Sequence, residues 1–266
     1  MGESLFRSLS YLRLGISTAG VVLLLLAVKY GIFYFGYEQF PLNPLYASAL
    51  SGAVFIMGFL LAGVLGDYRE AERAPAELRS ALESIWEDAR AGAVVYSGFD
   101  AEPVRAKLLE IIQHIFNGLS YDRRTEELQD ALDSLDQLSA SFIAMERAGM
   151  PANHVVRLKA ERAVARRLLL RMHHMQRTQF VPSVYFLAQS IVGIIIVILL
   201  FVESNGAPEL FALFAFFSYI FIFIHRLIPV LEQPFHQGFS TKDDVSLFLL
   251  HDFEAVLQRA DPRTTS

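Results

Sequence analysis

Two neighbouring imidazoles, His173 and His174, and two neighbouring carboxylates, Asp243 and Asp244, are the side chains whose chemistry stands out first. Imidazole nitrogens bind transition metals. Residues adjacent on a helix face different sides of it, however, so this pair makes a poor chelate and reads as part of a basic helix. Asp243 and Asp244, with Asp252 and Glu254 downstream, offer the oxygen ligands that calcium takes. Solvated carboxylates at a helix start account for the same residues. The chain has no cysteine, which excludes disulfides, thiolate metal sites and cysteine nucleophiles. No glycine-rich phosphate loop occurs, because Gly52, Gly58, Gly63 and Gly66 fall inside one apolar stretch. There glycine lets helices pack closely or approach a pore axis. No constellation supports catalysis, and neither an enzyme activity nor a cofactor is expected.

That apolar stretch carries the most informative spacing. Ser51, Phe55 and Phe59 stand at i, i+4 and i+8, which sets them along one helix face. One such stripe cannot enclose a pore. Copies around a symmetry axis could, and rings of Phe would then form a narrow apolar throat that gates by losing its water. Phe facing lipid or a neighbouring helix has the same spacing.

The elements that must position these residues are membrane spans. Of 266 residues, 53% are hydrophobic and only 19% charged, below the quarter or so usual in soluble domains. Phe is the outlier, with 22 residues against one Trp, many of them in nearly charge-free blocks. A helix needs about 20 apolar residues to cross the hydrocarbon layer. Leu14 to Phe35 meets that length, with Lys29 as its one charge, near enough to an end to snorkel. Tyr46 to Gly66 holds no charge, and Pro182 to Val202 is more apolar still. Leu210 to Ile224 is shorter, but Leu227, Ile228, Val230 and Leu231 extend it past Arg226. Soluble helices show a polar face, and these show almost none. The first block is long and lacks a small-residue cleavage site, so a span rather than a cleavable signal is expected.

Orientation follows from the charges at the span ends. Arg7 and Arg13 precede the first span, Arg69 and Arg73 follow the second, Arg171 and Arg177 precede the third, and Arg226 and Lys242 lie at or beyond the inner end of the fourth. The hairpin loops Gly36 to Leu45 and Glu203 to Glu209 hold no Lys or Arg, only Glu38, Glu203 and Glu209. Both termini and the long middle segment are therefore predicted to be cytoplasmic, with the chain in a plasma or bacterial inner membrane.

The division expected is 1–66 for the N-terminal segment and first two spans, 67–180 for a cytoplasmic helical domain, 181–231 for the last two spans, and 232–266 for a cytoplasmic C-terminal segment. The whole is read as one cooperative all-α unit, its helices continuing directly from the spans. Leu128, Leu132, Leu135, Leu138, Phe142 and Met145 recur at helical spacing, with Asp122 as the N-cap. Ala148-Gly149-Met150-Pro151 breaks that helix, and Pro151 suits the first turn of the next. The next helix carries Arg157, Lys159, Arg162, Arg166, Arg167 and Arg171; its predecessor carries Glu126, Glu127, Asp130, Asp133 and Asp136. Opposite charges on consecutive helices favour an antiparallel hairpin, although a basic helix near a membrane could contact anionic lipid instead. The net charge of -5 gives no bias toward nucleic acid.

Taken together these residues resemble the bestrophin family of channels. Phe55-Ile56-Met57-Gly58-Phe59 is similar to the family's second-span neck motif. Val181-Pro182-Ser183-Val184-Tyr185 resembles the Ile-Pro-x-x-Tyr that opens its third span. Glu232-Gln233-Pro234-Phe235, followed by Asp243-Asp244-Val245-Ser246-Leu247, resembles the Pro-Phe and acidic segment after its fourth. The resemblance implies a homopentamer in lipid whose central pore, lined by the second span, conducts inorganic ions past neck rings of Phe55 and Phe59. Ser51 takes the third neck position, where relatives have an apolar residue, and makes that end wetter. Gly52, Gly58 and Gly63 would serve packing of the pore helix. Asp67 and Arg69 stand where relatives carry Arg and Trp. Two adjacent Asp are thinner than the acidic clasp of animal members, so calcium gating is not expected. A second constriction should fall near Met150 to Val155.

Passive ion conduction is therefore the expected function. Positive Phe ring edges and the basic helix favour anions, which gives a chloride-type channel; the acidic outer loops favour cations, which stay open. A stator-like proton-channel subunit working with a partner's carboxylate, or a non-conducting scaffold that docks a soluble partner, would show the same topology.

Overall fold

The structure, a computed structural model, describes residues 2–41, 43–119, 125–177, 182–232, 234–235 and 245–260. Among these the chain is all-α, apart from one isolated parallel bridge between Phe40 and Val202. The helices are α1 (Gly2–Tyr34), α2 (Pro44–Val95), α3 (Glu102–Gly118), α4 (Thr125–Arg147), α5 (Ala152–Arg177), α6 (Pro182–Phe201), α7 (Pro208–Leu231) and α8 (Phe248–Arg259). Four of them, α1, α2, α6 and α7, are long and apolar enough to cross a membrane, as an integral membrane protein requires. The expected span at Tyr46 to Gly66 lies within α2, which continues without interruption to Val95. The fourth span, expected over Leu210 to Ile224, runs from Pro208 to Leu231. Pro208 supplies the preset φ and dispensable N–H that suit a first helical turn.

Two compact units result. The first holds α1, residues 44–68 of α2, α6 and α7. Here α1 packs on α6 and α7, and α6 on α7. Their core includes Val22, Ala53, Met57, Val64, Ala188, Val192, Ile195 and Phe221.

The second unit holds the rest of α2 with α3, α4, α5 and α8. Buried residues Ala74, Leu78, Leu82, Ile85 and Ala89 mark the inner face of α2 there, at the three-to-four spacing of an amphipathic helix. The α4 periodicity marks a core face as expected: Leu128, Leu132, Leu135, Leu138, Phe142 and Met145 are all buried. The proposed cap Asp122 lies outside the described residues. At the other end, Gly149 has φ +96°, the Gly149 N–H donates to Glu146 O at 3.1 Å and the Met150 N–H to Met145 O at 3.0 Å. That pair of bonds closes a helix through a left-handed residue, which is why a glycine stands there.

The α4–α5 hairpin is antiparallel, and its charges meet as their order on the two helices requires. Lys159 Nζ reaches Glu146 at 3.1 Å and Arg166 Nη1 reaches Asp136 at 2.7 Å. Arg157 forks onto Asp88 of α2, with Nε at 3.0 Å, and Arg171 pairs with Glu70. On α3, buried Arg105 is held by Glu102 and donates to Leu257 O of α8 at 3.1 Å. Exposed pairs of this kind contribute about 0.2–1 kcal/mol each, so apolar burial holds the unit together and the charges set its register.

Removing the largest wholly buried side chain of α4 tests that ranking. Phe142→Ala should cost about 3–5 kcal/mol and lower the melting temperature of the solubilised protein, whereas Asp136→Asn should leave it nearly unchanged.

Candidate functional site

The candidate site is the face of α2 that the first unit leaves uncovered. Met57 is wholly buried, and Ala53 and Val64 are buried beside it, so one side of the helix faces α6 and α7. Phe55 and Phe59 lie on the other side, 75% and 72% exposed. Ser51 is exposed with them, and its hydroxyl is spent on Ala47 O one turn back, at 2.9 Å. The three stripe residues are thus brought onto one open face.

The glycines of this stretch lie open as well. A side chain placed on Gly52, Gly58, Gly63 or Gly66 would meet nothing within 4 Å. Among the described residues, nothing packs against them. With Ala62 they make the open face of α2 one of small residues punctuated by Phe. The open faces of the other spans are built otherwise: Ile16, Leu23, Leu24 and Val28 on α1, and Phe186, Leu187, Ile194 and Val197 on α6. Bulky side chains of that kind suit lipid, whereas small ones let helices approach closely.

Two polar clusters missed by sequence reasoning brace the ends of the spans. Lys29 does not snorkel; it is 2% exposed. Its ammonium donates to Glu38 Oε1 at 2.8 Å, to Leu200 O at 3.2 Å and to Val202 O. All three donors of the ammonium are satisfied. Glu38 also accepts from the Ser204 N–H and hydroxyl at 2.8 and 2.7 Å. Burial pushes the Glu38 carboxyl up, but the bonds from Lys29 and Ser204 outweigh it and hold it below the usual carboxylate range. The two hairpin loops are thereby tied together, helped by the Glu203 N–H donating to Phe40 O at 2.9 Å. One signal could have shown this: a single Lys within a span and a single acid in the next loop.

At the other end of the first unit, the Tyr185 hydroxyl donates to Glu232, so two of the three sequence motifs touch. The remaining Glu232 oxygen is buried with no partner among the described residues, and burial, with Asp67 nearby, raises the carboxyl above its ordinary value.

The other expected residues separate. Asp243 and Asp244 lie outside the described residues. His173 and His174 sit on α5, away from the α2 stripe in sequence and in unit. Near the second constriction expected from the resemblance, Met150 and Val155 are buried in the second unit, while Pro151, Ala152, Asn153 and His154 are exposed.

No protein-family model and no curated relative matches the chain. Solved structures do. A bacterial bestrophin homologue from Klebsiella pneumoniae carrying a point mutation superposes with TM-score 0.71 at 15% identity, over 90% of this chain and 96% of that one. The homologue from the same organism phased with zinc gives TM-score 0.70 at 14% identity, over 92% and 97%. A protein titled only as a membrane protein with a single substitution gives 0.66 at 14%, over 97% and 98%. The chain has the fold of these bestrophin homologues.

Breaking one half of the buried pair should be worse than removing both. Lys29→Met strands a buried carboxylate and should cost about 3–5 kcal/mol, and adding Glu38→Gln should recover most of it in a thermal melt. Because folding lowers the Glu38 pKa, the pair stabilises above the usual carboxylate range and its contribution is lost as pH falls below 4.5. Glu232 has the opposite sign. Glu232→Gln should raise the melting temperature at neutral pH, and the gain should vanish as pH falls toward 4.5, where the native carboxyl is protonated too.

Proposed function

We propose that this chain, built on the bestrophin fold, is one subunit of a homo-oligomeric ion channel, expected to be a pentamer. The observation that carries this reading is the open face of α2, where Ser51, Phe55 and Phe59 stand exposed among glycines that meet nothing else among the described residues. Small residues allow copies of α2 to come close around an axis. Phe55 and Phe59 would then project into the space between them as an apolar constriction, wettable only intermittently, and Ser51 would form its wetter end. The bestrophin homologues with this fold are consistent with a channel role. The spans lie in the plasma or inner membrane with both termini cytoplasmic, as the arginines flanking them imply.

Selectivity is proposed to lean to anions on account of the neck itself. Both of the wider electrostatic arguments lose force once partners are assigned. Most cations of the basic helix α5 are matched: Arg157, Lys159, Arg166 and Arg171 pair with Asp88, Glu146, Asp136 and Glu70. Of the outer acids, Glu38 is neutralised by Lys29. Glu203 and Glu209 remain at the outer loops, so the lean to anions rests on the positive edge of each Phe ring, which favours an anion passing close to it. Calcium control is not part of this reading.

Reconstitution of the purified chain in liposomes under a salt gradient tests conduction and selectivity together. Flux should appear without any added partner, with a reversal potential displaced toward that of chloride. Phe55→Ala and Phe59→Ala should each raise the flux several-fold by widening the neck. Flux absent without a partner would favour the stator-like or scaffold alternatives, and flux unchanged in both variants would place the pore elsewhere.

A further inference from the structure

The hairpin of α3 and α4 brings together a donor set unrelated to the open face of α2. His114 lies in the C-terminal half of α3, and Glu127 and Asp130, three residues apart, share one face at the start of α4. One imidazole nitrogen of His114 and one carboxylate oxygen from each acid lie within 4.8 Å of one another, and Nδ1 stands 2.7 Å from Glu127 Oε2. We propose that this triad binds a first-row divalent transition metal, zinc foremost.

The chemistry of the donors sets the class of ion. One imidazole nitrogen with two carboxylate oxygens is a three-ligand set that zinc accepts, with water completing a tetrahedron. Calcium and magnesium prefer oxygen alone. Bonds of 2.0–2.2 Å place tetrahedral ligand atoms about 3.3 Å apart, which an exposed side chain such as Asp130 reaches by changing rotamer.

A simple imidazole–carboxylate pair would account for Glu127 but not for what else converges on the ring. Nε2 lies 3.9 Å from Glu110 Oε1, one helical turn back, within ion-pair range though longer than a hydrogen bond. A carboxylate behind the second nitrogen is the usual outer partner of a metal-bound histidine, fixing its tautomer and orientation. Glu110 is itself held in place by Lys107 Nζ at 2.6 Å and by the Ser134 hydroxyl at 2.8 Å. An ion here would clip α3 to α4 on either side of the connection at 120–124. Its affinity would be independent of the channel reading.

Calorimetric titration of the purified full-length protein with zinc, in a buffer that does not chelate it, tests the site. Cobalt absorption serves as the spectroscopic readout. One saturable ion per chain, with a visible cobalt band and a higher melting temperature, is expected. His114→Ala and Asp130→Asn should each weaken binding at least about tenfold, and Glu110→Gln, a positioning residue, by about 10–100-fold, while His174→Ala changes nothing. Asp130 is exposed, so Asp130→Asn should melt like the parent without metal, separating a ligand's role from a structural one. A titration with no saturable site, or Asp130→Asn binding zinc as the parent does, would overturn the proposal.

Discussion

Phe55 and Phe59 place two large apolar rings on the side of α2 turned away from Met57, and among the described residues they stay largely uncovered. Some surface must. In the hydrocarbon layer apolar exposure alone is no penalty, since lipid is as apolar as the side chain. What marks this face is its company: glycines, Ala62 and a serine around the two rings, with Val54 and Ile56 also exposed, where the open faces of α1 and α6 are richer in bulky aliphatics. Packing between helices in lipid depends on close contact, and small residues permit it. The rest of the first unit can be understood as a frame that holds this face outward and in register.

That frame solves a second problem, which is keeping polar groups satisfied where water is scarce. Lys29 would be costly in a span by itself. It is tolerated because Glu38 and two carbonyls at the end of α6 receive all of its donors. The same arrangement joins the α1–α2 connection to the α6–α7 connection, so a charge in the membrane becomes a tie between hairpins. At the opposite end Tyr185 and Glu232 connect α6 to the end of α7. In the second unit the numerous charges of α5 are mostly partnered as well, so a count of basic residues overstates the potential of that helix.

Much of this was legible in the sequence because the signals were long. Charge-free blocks marked the spans, and a six-position apolar periodicity marked the core face of α4, since burial acts on every turn. The i, i+4, i+8 spacing placed Ser51, Phe55 and Phe59 on one face. What periodicity could not show was which surface each face meets. The glycines of α2 allowed either close packing or approach to a pore axis, and among the described residues nothing lies against them. Lys29 looked like a snorkelling charge because its partner, Glu38, lies beyond a tight turn closed at Gly36, with φ +72°, and Leu200 is remote in sequence. His114 drew no notice because its companions belong to another helix. Each miss is a contact between separate elements, which local pattern does not encode.

Imaging the purified particle at side-chain resolution tests the central claim most directly. Several identical copies should surround one axis, with Phe55 and Phe59 of every copy directed inward at the narrowest point of a continuous passage. A single protomer, or an assembly in which those rings face the detergent belt, would contradict the account.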